Sequence, residues 1–167
     1  MIDPAAAFDR HAHDHGDCVD RALAIAERRC DAAGVRLTEI RRRVLALVWA
    51  AGRPVGAYDV LETLQGERGR VAPPTVYRAL DFMMEQGLIH RIESRNAYVG
   101  CRRPDHPHAG HFLICRLCGA TAELAACGID TALNAAAAGH GFLVEHRTVE
   151  LSGICPVCVE SEAVDAR

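Results

Sequence analysis

The sequence predicts an α+β protein in two units, a winged helix-turn-helix followed by a small α/β unit built around a four-cysteine zinc site. Three observations predict it. Four segments of helical apolar spacing, each closed by a glycine, run from Val19 to Gly87 and lead into the hairpin pattern LIHRIESRNAYVG. Beyond a stretch rich in Pro, His, Asp and Gly, two strand patterns flank an alanine-rich segment. The motif C-x-x-C then occurs twice, at Cys115 and Cys118 and again at Cys155 and Cys158.

Taken in order, residues 1–18 read as a polar tail, with His11, His13 and His15 alternating ahead of Asp17 and Cys18. The first helix spans Val19 to Ala33, with Ala22, Leu23, Ala26 and Cys30 on its apolar face and Gly34 as its stop. Cys30 therefore reads as a small buried hydrophobe. Thr38 is placed to cap a second helix, whose face carries Ile40, Val44, Leu47, Val48 and Ala51 before Gly52. Arg41, Arg42 and Arg43 at its start form either a solvated face or a contact to DNA phosphates.

A short third helix from Gly56 to Gly66 carries Val60, Leu61 and Leu64. The fourth, in VAPPTVYRALDFMMEQG, accepts its prolines in the first turn and buries Val76, Leu80, Met83 and Met84, leaving Thr75, Tyr77 and Arg78 at the outward N-terminal end. Two strands then turn at Ser94, Arg95 and Asn96. In a winged helix the N-terminal residues of the last helix enter the major groove, where an arginine bonds guanine O6 and N7. The same pattern also fits a plain helical core with Tyr77 and Arg78 as surface residues.

These patterns divide the chain into a tail (1–18), a winged-helix unit (19–100), a hinge (101–111), a second unit (112–160) and a C-terminal tail (161–167). In the second unit HFLICRLCGATAEL reads as strand, knuckle and strand, and GIDTALNAAAAGH as a helix. The segment GFLVEHRTVELSGICPVC reads as a strand alternating over Phe142, Val144, Val149 and Leu151. Its apolar strand edges suit a second copy, so a homodimer is expected.

Half of the 167 residues are apolar, enough for well-filled cores. All 19 basic residues are arginine. Residues 19–100 carry 13 Arg against 10 acids and residues 101–167 carry 5 against 8, so the basic excess lies in the first unit. No apolar run approaches membrane-spanning length, and MIDPAAAFDR lacks the basic start and apolar core of a signal peptide. A cytoplasmic protein without a membrane partner is expected, with its eight cysteines as thiols or metal ligands. No Ser-His-Asp order, phosphate loop or open zinc site with a placed base occurs, so neither an enzyme nor a small-molecule substrate is expected.

The paired C-x-x-C motifs carry the strongest chemical signal. Two-residue spacing lets both thiolates of a knuckle face one point, and four thiolates complete the tetrahedral shell of structural zinc. A thiol redox pair is the rival reading. A looser group spans the boundary: His90, Cys101, His106, His108, His111 and Glu123. A metal shared among them fixes the angle between the two halves.

The run PPTVYRALDFMMEQGLIHRIES, followed by AYVGC, a His-rich linker and two C-x-x-C knuckles, resembles the Fur family of metal-dependent repressors and, within it, the zinc-responsive branch. The likeness covers roughly residues 20–160. It implies a winged helix hinged to a C-terminal dimerisation domain, a homodimer on a palindromic operator in double-stranded DNA, and repression of zinc-uptake genes. It implies structural zinc at Cys115, Cys118, Cys155 and Cys158, and regulatory zinc at His90, Cys101, His108 and Glu123, hence at least two Zn2+ per protomer. The thiolate of Cys101 favours zinc over the harder iron site of other members. DNA contact falls to Thr75, Tyr77 and Arg78. Many relatives hold a further His/Asp/Glu site; here His106, His111, Asp130 and His146 are available for it, with imperfect spacing. The alternatives are a sensor of another metal or of peroxide within the same family, a thiol redox protein and a zinc store.

Overall fold

A computed structural model describes Phe8 and residues 15–104, 110–124 and 128–165. The tail histidines His11 and His13 and the hinge histidines His106 and His108 lie outside the described residues. The described residues fall into two compact units, one within 9–106 and one within 107–167, with Phe8 packed on the second.

In the first unit α1 spans His15–Ala32, beginning four residues before the expected start at Val19. Asp17 in its first turn meets the positive end of the helix dipole, so residues read as tail continue the helix. Cys30 is buried, as its spacing implies. In α2 (Glu39–Ala50) the Thr38 side chain caps the Arg41 amide. Its buried face is Val44, Leu45, Ala46 and Val48, broader than the expected stripe because α1 packs on one side and α4 on the other. Next come β1 (Val55–Gly56), α3 (Ala57–Arg68) and α4 (Pro73–Glu85). The Gly56 amide donates to Asp59 Oδ2 at 3.2 Å, closing the start of α3. In α4 the buried residues include Phe82, while Met84, expected in the stripe, is half-buried.

The wing is β2 (Ile89–Ile92) and β3 (Ala97–Gly100), antiparallel, with Ile89 opposite Gly100 and His90 opposite Val99. Asn96 closes the turn in the left-handed region at φ 46°, a conformation Asn tolerates through its short polar side chain. β1 adds to the free edge of β3, giving the order β1-β3-β2. A two-residue strand has no period to detect, so the sequence does not announce it.

The second unit holds β4 (His111–Cys115), β5 (Thr121–Glu123), α5 (Ile129–Ala138), β6 (Val149–Gly153) and α6 (Pro156–Asp165), with sheet order β5-β4-β6. β4 pairs antiparallel with β5 and parallel with β6. The expected long strand from Phe142 is a correction: only Val149–Gly153 is extended, starting where Val149 meets His111, the first residue of β4. Upstream, the Phe142 amide bonds Ala137 O at 3.0 Å and so belongs to the C-terminal closure of α5. α6 is also unexpected, since its second half falls within the expected tail, 161–167. No helix among the described residues is long and apolar enough to cross a membrane.

Candidate metal centres and nucleic-acid interface

The parallel pairing of β4 and β6 builds the cysteine site. It sets Cys115 opposite Gly153, and the Arg116 amide bonds Gly153 O at 2.8 Å, so both strands end side by side. After β4 the chain reverses tightly: Gly119, at φ 73°, donates to Cys115 O at 3.0 Å, and Cys115 N to Ala120 O at 2.8 Å. That turn presents Cys118. After β6, Cys155 precedes α6 and Cys158 sits in its first turn, its amide bonding Cys155 O at 3.0 Å. Two short reversals thus aim four thiols at one point.

All four Sγ atoms lie within 4.8 Å of one another, with Cys115 to Cys158 at 3.9 Å and Cys118 to Cys155 at 3.7 Å. A tetrahedron with metal–sulfur arms of about 2.3 Å has edges of about 3.8 Å. A disulfide would need about 2.05 Å. The spacing therefore fits one tetrahedral ion, and no disulfide joins the four cysteines. Cys115 and Cys155 are buried, Cys118 is exposed, and Phe8 packs beside the cluster.

Burial pushes the Cys115 thiol up, but backbone N–H groups of Cys118, Cys155 and Leu117 outweigh it and hold Cys115 at about 6. Cys158 is pushed up to about 12, chiefly by hydrogen bonding with the Cys118 thiol and then by burial. Burial also raises Cys155. Cys115 is thus pushed toward the thiolate, while Cys155 and Cys158 are pushed toward the protonated thiol.

In the first unit, His90 on β2 and Cys101 at the end of β3 face the same way. His90 is directly opposite Val99, and Cys101 lies two residues beyond Val99. The Cys101 amide bonds Leu88 O at 3.0 Å, extending the ladder. A His90 ring nitrogen and Cys101 Sγ lie within 4.8 Å, and Cys101 is buried. Glu123 ends β5 in the second unit, across from Phe112.

His111 and Asp130 also meet, His111 Nε2 lying 3.0 Å from Asp130 Oδ1. Arg147 donates to that same oxygen at 2.9 Å. His146 turns to the Thr148 hydroxyl at 3.4 Å. Among the described residues no further His, Cys, Asp or Glu donor joins His111 and Asp130 within 4.8 Å.

The first turn of α4 begins at Pro73 and Pro74, and Thr75 N bonds Ala72 O at 2.9 Å. Thr75 and Arg78 are exposed there, while Tyr77 is half-buried and packs on the core. Tyr58, outside the expected interface, stands 71 % exposed in the first turn of α3. Its only signal is an aromatic residue off the apolar stripe. The three arginines of α2 are engaged within the unit: Arg41 stacks 3.4 Å above the Phe82 ring, Arg42 pairs with Glu27, and Arg43 Nε donates to Glu67 at 2.7 Å.

The model of the ferric uptake regulator family matches residues 32–152. The zinc uptake regulation protein of Escherichia coli is 44 % identical over 142 residues, covering 84 % of this chain and 83 % of that protein. The peroxide operon regulator of Bacillus subtilis is 33 % identical over 135 residues, covering 77 % and 88 %. Among solved structures, a zinc uptake regulator complexed with zinc and DNA superposes with a TM-score of 0.83 at 42 % identity, covering 87 % of this chain and 97 % of that one. Holo XcZur superposes with a TM-score of 0.76 at 42 % identity, covering 83 % and 96 %.

Proposed function

We propose, starting from the fact that this chain belongs to the ferric uptake regulator family, that it is a zinc-responsive transcriptional repressor of zinc-uptake genes. It acts in the cytoplasm as a homodimer on a palindromic operator in double-stranded DNA, and it is not an enzyme. The observation that carries the reading is the pairing of an imidazole and a thiol, His90 and Cys101, on the wing of the DNA-reading unit. Thiolate and imidazole donors suit zinc, whereas carboxylate-rich sets suit harder ions.

In this reading residues 19–100 form the DNA-binding unit, 101–111 the hinge and 112–160 the dimerisation unit. Cys115, Cys118, Cys155 and Cys158 hold a structural zinc, and His90, Cys101, His108 and Glu123 a regulatory one. His106, His111, Asp130 and His146 are the donors available for a third site, and the Arg147 guanidinium on Asp130 speaks against an ion there. When bound at the hinge, zinc supplies the positive charge that holds four donors from both sides of the hinge in one shell. Thr75, Tyr77 and Arg78 then read the operator, Arg78 through guanine edges. The DNA-competent arrangement must hold the ion more tightly than the open one, and by reciprocity operator DNA tightens the ion.

The test is Cys101→Ser, assayed for zinc content, dimerisation and operator binding. The expected product is a folded dimer with one tightly held zinc per protomer and no zinc-dependent operator binding. Normal zinc-dependent binding by this variant sinks the assignment of Cys101. Wild-type protein that responds to iron or manganese in place of zinc replaces the zinc reading by another metal.

A further inference from the structure

The residue before Cys101 is a glycine in ordinary extended backbone, Gly100, the last residue of β3. Nothing in its conformation calls for glycine. Space does: a Cβ built there would lie 2.3 Å from Cε2, 2.6 Å from Nε1 and 2.7 Å from Cδ2 of Trp49. The indole thus lies flat on the Gly100 Cα. Glycine inside a strand commonly marks such a close approach. Ordinary carbon contacts begin at about 3.5 Å, so one added methyl would displace the ring or the strand end by about 1 Å.

The contact is placed behind the metal ligands. Ile89 and Gly100 are directly opposite each other and share the core-facing side, while His90 and Cys101 lie on the other side. Trp49 is the next-to-last residue of α2 and packs on the core. It presses the end of β3 from the core side at the position adjacent to Cys101, and its rigid bicyclic ring has few rotamers through which to yield.

We propose that Trp49 is a positioning residue for the regulatory metal: its packing on Gly100 sets the height of the strand end and so the position of Cys101 Sγ. The proposal rests on the assignment of Cys101 as a zinc ligand. Zinc–sulfur distances tolerate deviations of only about 0.2 Å, and residues that orient ligands typically contribute 10- to 100-fold to metal affinity. Because the chain has one tryptophan, Trp49 emission also reports on the strand end.

The experiment uses the full-length protein with its structural zinc in place. Zinc is titrated against a chromophoric chelator in wild type, Cys101→Ser, Gly100→Ala and Trp49→Ala, with Trp49 emission recorded in the first three. In wild type, the exchangeable zinc is expected to change the emission, and Cys101→Ser should abolish the change. Gly100→Ala should weaken the exchangeable site about 10- to 100-fold while retaining the tight zinc. Trp49→Ala should weaken it as well, with the tight zinc retained, because nothing then holds the strand end at that height. Wild-type affinity in Gly100→Ala or in Trp49→Ala overturns the positioning role alone. If Gly100→Ala does not fold, an emission in wild type that ignores the exchangeable zinc overturns it as well. A wild-type protein whose zinc content matches that of Cys101→Ser removes the ligand assignment, and this proposal with it.

Discussion

Arg147 donates to Asp130 Oδ1 at 2.9 Å, the same oxygen that meets His111 Nε2 at 3.0 Å. A guanidinium therefore supplies the positive charge that a metal ion would bring to that histidine and carboxylate. A cation entering there would have to displace Arg147, at the cost of an ion pair. Zinc per protomer is accordingly expected to be equal in wild type and Asp130→Ala. A drop of one zinc in the variant would establish a third site at this position.

Cys118→Ser removes one corner of the tetrahedron formed by two short reversals after β4 and β6. Structural zinc of this type contributes about 10 to 16 kcal/mol of binding free energy, which is folding free energy for the unit that holds it. The variant is expected to lose one zinc and the cooperative melting of the second unit, read by metal analysis and calorimetry. Native melting in zinc-free Cys118→Ser protein would contradict the structural role.

Arg78 is exposed on the first turns of α4, whereas Tyr77 is half-buried against the core. Arg78→Ala is expected to weaken operator binding by about 1 to 3 kcal/mol while sparing nonspecific duplex. Tyr77→Ala should lower the melting temperature as well as affinity, and Tyr77→Phe should spare the fold. Fluorescence anisotropy on operator and scrambled duplexes, beside thermal melts, separates the two residues.

Arg41 stacks 3.4 Å above the Phe82 ring and donates to Arg36 O at 2.6 Å, so its charge is used inside the unit. Arg41→Met is expected to destabilise the fold by about 1 kcal/mol. The salt dependence of DNA binding should not change. A slope reduced by about one would instead place Arg41 on a phosphate.

Burial raises the Cys30 thiol above its ordinary 9.0. In the unfolded chain that thiol ionises first, so the unfolded state holds fewer protons once pH passes 9.0, and stability falls as pH rises further. The slope is at most about 1.4 kcal/mol per pH unit. Cys30→Ala should remove this part of the alkaline decline, measured as melting temperature against pH; identical profiles would refute it.

Much of the local structure was legible in the chain. Thr38, Gly34, Gly52 and Gly87 marked helix ends, although α3, expected to stop at Gly66, runs through it to Arg68; the spacing of Val44, Val76 and Leu80 marked core faces, and the doubled C-x-x-C marked a four-thiol site, because these signals depend on neighbours within a few residues. Where the outcome depended on a distant partner, the pattern misled. Phe142 and Val144 alternate like a strand, yet β6 begins only at Val149, where β4 supplies a hydrogen-bonding edge.

The sequence by itself determined the helix order of the first unit, the wing, the two knuckles and the donor types, because capping, apolar period and ligand spacing are written locally. Tertiary structure decided which charges are spent and which residues touch. It closed Arg41 onto Phe82, Arg147 onto Asp130 and Trp49 onto Gly100. Each of these contacts joins residues far apart in the chain, and packing distances between such residues exist only once the core has formed.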